Sequence, residues 1–220
     1  MNKLQHKEQR VLVLFDVQNM YYSARNMFNA KVNFHEILKK AVSGRKLIRA
    51  IAYVIKADMR DENKFHDALQ GIGIEVKMKG LQTFITGTKK GDWDIGIAMD
   101  AVRLSNKVDT VVLISGDGDF KDLLSYLKSH GCRTEVIAFS KTSSRLIKDE
   151  ADDFFDLGSD MKKYLLKGDA RKPHPRFKKP YKKSTKPAYK QKKLVKSKPR
   201  TQSKPKPRAQ SLPNLKRKKK

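Results

Sequence analysis

The chain has 220 residues and a formal net charge of +27, long enough for one domain with a hydrophobic core and basic enough to point to a polyanionic partner. Its single cysteine, Cys132, excludes an intramolecular disulfide and any zinc or iron–sulfur site built on several thiolates, which suits a reducing, cytoplasmic setting. The stretch before Asp16 holds only five consecutive apolar residues, so neither a signal-peptide core nor a membrane span is expected.

Val11 to Phe15 is a short apolar run ending at Asp16, the pattern of a strand buried on both faces. A helix is predicted to follow through Met20, Tyr21, Ala24 and Met27/Phe28. A second, Phe34 to Val42, stops before Gly44. Leu47 to Ile55 reads as a strand, Glu62 to Gln70 as a helix with Phe65, Ala68 and Leu69 on one face, and Ile74 to Met78 alternates as a strand does. Helical spacing returns over Asp94 to Leu104. Thr110 to Ile114 is another buried-type strand, followed by Ser115-Gly-Asp-Gly-Asp, a helix over Phe120 to Ser129 and a strand over Thr134 to Phe139. One or two short helices are predicted for Ser143 to Leu166, with Phe154 and Phe155 as core anchors. The alternation implies a three-layer, Rossmann-like α/β domain over residues 1–167, with helices on both faces of a mostly parallel sheet of about five strands.

Composition changes sharply beyond Lys167. Residues 168–220 carry 22 of the 50 Lys and Arg, one acid and all eight prolines. Such a segment buries too little apolar surface to offset its ordering entropy, so a disordered basic tail is expected. Its lysines would neutralise phosphates and release counterions, and the interleaved Phe177, Tyr181 and Tyr189 would stack on exposed bases. RNA, ribosomal or otherwise structured, is the expected partner, with no sequence specificity. Lys216 to Lys220 also resembles a nuclear import signal, should the source have a nucleus.

Ligands of open α/β sheets bind outside the carboxyl ends of the strands, where strand order reverses. Asp16 ends the first strand, Asp117 and Asp119 follow the Thr110–Ile114 strand, and Asp94 opens a helix. Carboxylates gathered this way repel one another and call for a divalent cation; an all-oxygen set suits magnesium or manganese, whereas zinc favours His or Cys. With such an ion the cleft is expected to hydrolyse phosphodiesters. An Asp at a strand-to-helix junction is also a common N-cap, and it is the joint placement of the four that favours a site. Asn19 reads as a cap or as a group that orients Asp16, a water or nucleic acid; Ser115 as a turn residue before a phosphate contact; Asp92 as a cap or a ligand. Lys90 is a candidate phosphate contact. Asp100, unusual within an apolar helix, reads as a partner of Arg103 or as a residue beneath the metal site. His35, His66 and His130 share no ligand spacing, there is no G-x-x-x-x-G-K-[ST] loop, and Lys121 with two acids defeats a dinucleotide reading of Gly116-Asp-Gly-Asp.

Three blocks, Phe15-Asp-Val-Gln-Asn-Met-Tyr, Lys89-Lys-Gly-Asp-Trp-Asp-Ile-Gly-Ile-Ala-Met-Asp-Ala and Asp109-Thr-Val-Val-Leu-Ile-Ser-Gly-Asp-Gly-Asp-Phe, together resemble the LabA-like branch of the NYN domain family, relatives of PIN nucleases. The likeness runs from about residue 10 to 157, in block order. It implies a PIN-like fold and a magnesium- or manganese-dependent, RNA-processing nuclease. It assigns Asp16, Asp94, Asp117 and Asp119 as catalytic, metal-binding acids and Asn19 as the polar residue beside them. Val17-Gln18 departs from the family's usual Gly and Glu or Phe without removing a ligand. Phe139 to Leu157, with Ser143, Ser144 and Asp152, is similar to the family's closing segment. Two other functions compete: a non-catalytic RNA-binding or RNA-assembly protein, and an aspartyl-phosphate phosphatase, which Gln18 disfavours because a second acid is wanted there.

Overall fold

The computed structural model describes residues 6–56, 62–80, 82–83, 89–90 and 92–167. Strand β1 (Arg10–Asp16) leads into helix α1 (Val17–Phe28), short strand β2 (Ala30–Val32), α2 (Phe34–Val42), β3 (Lys46–Lys56), α3 (Glu62–Gly71) and β4 (Glu75–Gly80). Two-residue strands β5 (Gln82–Thr83) and β6 (Lys89–Lys90) come next, then α4 (Asp94–Ser105), β7 (Thr110–Ile114), α5 (Lys121–Ser129), β8 (Arg133–Ala138), α6 (Arg145–Glu150), β9 (Asp153–Asp156), α7 (Met161–Tyr164) and β10 (Leu165–Lys167).

The main sheet has six strands in the order β4-β3-β1-β7-β8-β9, and every pairing in it is parallel. It exceeds the expected five because Asp153–Asp156, placed in a helical region by the sequence reading, forms an edge strand beside β8. Alternation explains the difference. Phe155 packs on one side of the sheet and Phe154 on the other, each partly buried, a division that side chains pointing to opposite faces of a strand produce. Two adjacent aromatics therefore anchor two different core layers.

The same period organises the centre. Val11, Val13 and Phe15 of β1 face α1, α2 and α3, whereas Leu12 and Leu14 face α4, α5 and α6. All five are essentially inaccessible. A strand buried on both faces must be apolar at every position, which is why this run shows no polar alternation.

At the other end of the strands, Arg45 and Glu135 are both buried and joined by two hydrogen bonds of 2.8 Å, with Arg45 also donating to the carbonyl of Ala41 at 2.6 Å. Asp152 belongs to the same rim: its Oδ2 accepts from the backbone N–H of Thr134 at 2.8 Å and from its hydroxyl at 2.9 Å. That position, before β9 and beside the start of β8, gives Asp152 a stapling role away from the carboxyl ends of the strands. Outside the sheet, β10 pairs antiparallel with β2, and β5 with β6.

Chain order makes the crevice. From β1 the chain runs outward to β3 and β4, then returns to β7 on β1's other side and continues to β8 and β9. Strand order thus reverses between β1 and β7, where Phe15 is in register with Ile114, so the next residues in each strand direction are Asp16 and Ser115. Among the described residues no helix is long and apolar enough to cross a membrane.

Candidate metal centre

Asp16 is 8% exposed and serves two elements at once. One carboxylate oxygen caps α1 by accepting the N–H of Asn19 at 3.0 Å, and the other accepts the hydroxyl of Ser115 at 3.1 Å. Ser115, fully buried, in turn accepts the N–H of Asp117 at 3.2 Å. The side-chain oxygen of Asn19 accepts the N–H of Gly116 at 3.0 Å. Two polar latches therefore bind the end of β1 to the loop after β7.

That loop is pinned from its far side as well. Ser144 donates its N–H to the carbonyl of Gly116 at 2.9 Å. A Cβ on Gly116 would fall 2.5 Å from Oγ of Ser143, and one on Gly118 would fall 2.5 Å from Oγ and 2.8 Å from Cβ of Ser144. Both glycines are thus set by close approach of the 143–144 segment. Within the loop Asp117 accepts the N–H of Asp119 at 3.2 Å, which turns both acids outward from one short 3-10 turn, Gly118–Phe120.

Asp94 arrives from the other side, as the first residue of α4. Trp93 sets it there. The indole N–H donates to the carbonyl of Val54 at 3.0 Å, the ring meets Tyr53 edge-on at 5.4 Å, and Gly96 leaves room for it, since a Cβ there would sit 2.5 Å from the indole. Asp92 is not the cap of α4, because Trp93 holds that position without a side-chain hydrogen bond.

Asp94, Asp117 and Asp119 converge: a carboxylate oxygen from each lies within 4.8 Å of the others. Oxygens around a magnesium octahedron with bonds of about 2.1 Å lie about 3.0 Å apart at neighbouring positions and about 4.2 Å across, so the three carboxylates are near enough to close on one ion. Burial, followed by the charges of Asp16, Asp117, Asp92 and Asp119, pushes the Asp94 carboxyl up from 3.8 to about 6. Such crowding is relieved by a cation, and the donor set is entirely oxygen, so the residues fit a hard divalent ion. Asp16 stands outside the three-residue cluster, fastened to Ser115 and Asn19, yet its charge is the largest carboxylate contribution felt by Asp94.

The sign of the Asp94 shift gives a prediction for the metal-free protein. Its folded-state pKa is raised, so the favourable contribution is complete below about pH 4 and disappears as pH rises through about 6. Asp94→Asn should therefore be more stable than the parent in EDTA at pH 8, by about 1–2 kcal/mol once the partial exposure of the group is allowed for. The advantage should vanish near pH 4. Thermal melts at the two pH values check this; a variant less stable than the parent at pH 8 would show that the carboxylates do not strain the empty cluster.

Other candidates fall elsewhere. Asp100 does not pair with Arg103 as its main partner: its Oδ2 accepts the phenol of Tyr53 at 2.6 Å and the ammonium of Lys77 at 2.5 Å. Burial alone would raise its pKa, but those hydrogen bonds outweigh it and hold the carboxyl below its ordinary value. Burial and that neighbouring carboxylate push the Tyr53 phenol well above its usual range. The trio explains a charged residue inside α4, and only the tertiary neighbours could identify it. Lys90 lies in β6, with a side chain outside the described part, and Phe177, Tyr181 and Tyr189 lie outside the described residues.

Comparison with known proteins identifies the family. Residues 10–159 match the NYN domain. The chain is 26% identical over 179 residues to the Low amplitude and bright protein LabA of Synechococcus elongatus, across 74% of this chain and 91% of that protein. A crystal structure of a protein of unknown function from Vibrio parahaemolyticus superposes with a TM-score of 0.67 at 31% identity, covering 74% of this chain and 99% of the other. A match over most of the chain, spanning the blocks that carry Asp16, Asp94, Asp117 and Asp119, shows that this protein belongs to the NYN domain family, in its LabA-like form and with that family's PIN-like, nuclease-type fold.

Proposed function

We propose that this protein is a divalent-metal-dependent ribonuclease. The observation that carries the reading is the convergence of Asp94, Asp117 and Asp119 at the switch point of the sheet. These three residues would hold magnesium or manganese, which supplies a Lewis acid and lowers the pKa of a water molecule. Ser115 and Asn19 hold Asp16 beside the cluster, so its charge adds to the pull on a cation without needing a flexible side chain to be ordered at binding. Asp117 and Asp119, from one tight turn, keep a fixed separation, and Trp93 fixes the direction from which Asp94 approaches. Such prior ordering is what an in-line attack on phosphorus requires of its surroundings.

The net charge of +27 supports a nucleic acid as the substrate, because an acidic crevice by itself repels phosphates and another part of the chain must attract them. Residues 168–220 would provide the attraction, together with Lys90 and the tail aromatics Phe177, Tyr181 and Tyr189. Purified protein should cleave RNA with added magnesium or manganese, stop in EDTA and resume when the ion is restored. Removing residues 168–220 should weaken binding by about 10³-fold or more near 50 mM salt, with a much shallower salt dependence. Absence of cleavage with either ion on single-stranded, duplex and structured RNA would instead leave a non-catalytic RNA-binding protein.

A further inference from the structure

Helix α1 begins at the crevice, and its core side is Val17, Met20, Ser23 and Ala24. Tyr21 and Tyr22 lie off that side, 37% and 39% exposed, with ring centroids 5.5 Å apart and planes inclined at 71°. Arg25 donates to the Tyr21 hydroxyl at 2.6 Å, and its guanidinium carbon lies 5.7 Å from the Tyr21 ring centroid. Neither tyrosine belongs to the core clusters on the two faces of the sheet, and the hydrogen bond to Arg25 ties one ring to its neighbour one turn on.

Position gives the rings their meaning. Asn19 turns to Gly116 in the acidic loop, and Tyr22, three residues on, continues that flank of α1 by one turn, with Tyr21 and Arg25 following further round the helix from the crevice. Tyr22 is six residues beyond Asp16, about 9 Å along the axis, which is the reach of a nucleotide next to one seated in the crevice. Near a carboxylate cluster, phosphate contacts are a poor grip until a cation is present. Base faces carry no such penalty, and Arg25 supplies a positive charge for the adjoining phosphate. A duplex keeps its base faces stacked inside, so a site of this kind takes single strands.

The geometry points to Tyr21, Tyr22 and Arg25 as a base-stacking platform that seats single-stranded nucleic acid beside the acid crevice. It rests on the nuclease reading for the direction of the strand, but its test needs no cleavage. Full-length protein in EDTA and about 300 mM salt, which weakens phosphate contacts by the tail, is titrated with a fluorescent oligoadenylate and with a duplex of equal length. Tyr21→Leu/Tyr22→Leu should bind the single strand about 5- to 20-fold more weakly while duplex binding changes less than about twofold, and Tyr21→Phe/Tyr22→Phe should stay within about twofold of the parent. A photo-crosslinking 5-iodouridine oligomer on the unmodified protein should attach within residues 17–28, a readout that stands even if the Leu variant misfolds. Unchanged single-strand affinity in a folded Leu variant, an equal loss in the Phe variant, or crosslinks confined to other peptides would each overturn the platform. Failure of cleavage with both ions would sink the nuclease reading and leave this binding result intact.

Discussion

Asp117→Asn should lower magnesium- or manganese-dependent RNA cleavage by about 100-fold or more while RNA binding in EDTA stays within about twofold. The amide keeps an Oδ1 that can accept the N–H of Asp119, the bond Asp117 makes at 3.2 Å, so the Gly118–Phe120 turn has no reason to move. What disappears is one negative charge from a cluster whose oxygens lie within 4.8 Å of one another. The loss therefore falls on cation affinity and on transition-state charge, and raising the metal concentration should recover part of it. Single-turnover cleavage over a metal titration, with thermal melts alongside, measures both. Cleavage equal to the parent at every metal concentration would place the activity at another site or in a contaminant.

Arg45→Ala should cost about 3 kcal/mol of folding stability, seen as a lower urea midpoint with an unchanged slope. Arg45 and Glu135 have side chains only 1% and 8% exposed, and removing the guanidinium leaves a buried carboxylate that has lost its two 2.8 Å hydrogen bonds, with Arg133 at 3.5 Å. Arg133 is also engaged by Asp153, which limits the compensation it can offer. The carbonyls of Ala41 and Val42 lose donors in the same step. Replacing both charges, as Arg45→Met/Glu135→Leu, should return stability to within about 1 kcal/mol of the parent, because the desolvation cost of two ions goes with them. A single variant that loses less than about 1 kcal/mol would mean that water reaches the pair.

The two predictions probe opposite rims of one sheet and should not interfere. Arg45 and Glu135 lie at the end of the strands away from the acid cluster, so cleavage by the folded Arg45→Met/Glu135→Leu protein should be preserved. The contrast separates loss of activity through the site from loss through unfolding.

Much of this architecture could be read from local pattern. Apolar runs marked β1 and β7 to within a residue or two, since a doubly buried strand tolerates little polar interruption, and β3 and β8 were legible to the same accuracy although Arg49 and Glu135 interrupt their apolar patterns. The strand-end acids announced themselves by lying where such runs stop. Short edge elements were harder: Asp153–Asp156 has only four residues, and nothing in so brief a segment separates a strand from a helical turn until β8 is beside it.

Within the crevice, sequence alone determined which acids were available, because residue type and strand-end position are local properties. The tertiary structure decided their division of labour: Asp94, Asp117 and Asp119 meet, Asp16 is held beside them by Ser115 and Asn19, and Asp100 turns away to Tyr53 and Lys77. Asn19 is three residues from Asp16 and Asp119 two from Asp117, but the other partners are separated by tens of residues along the chain, and a contact across such a separation exists only once parallel strands have been brought into register.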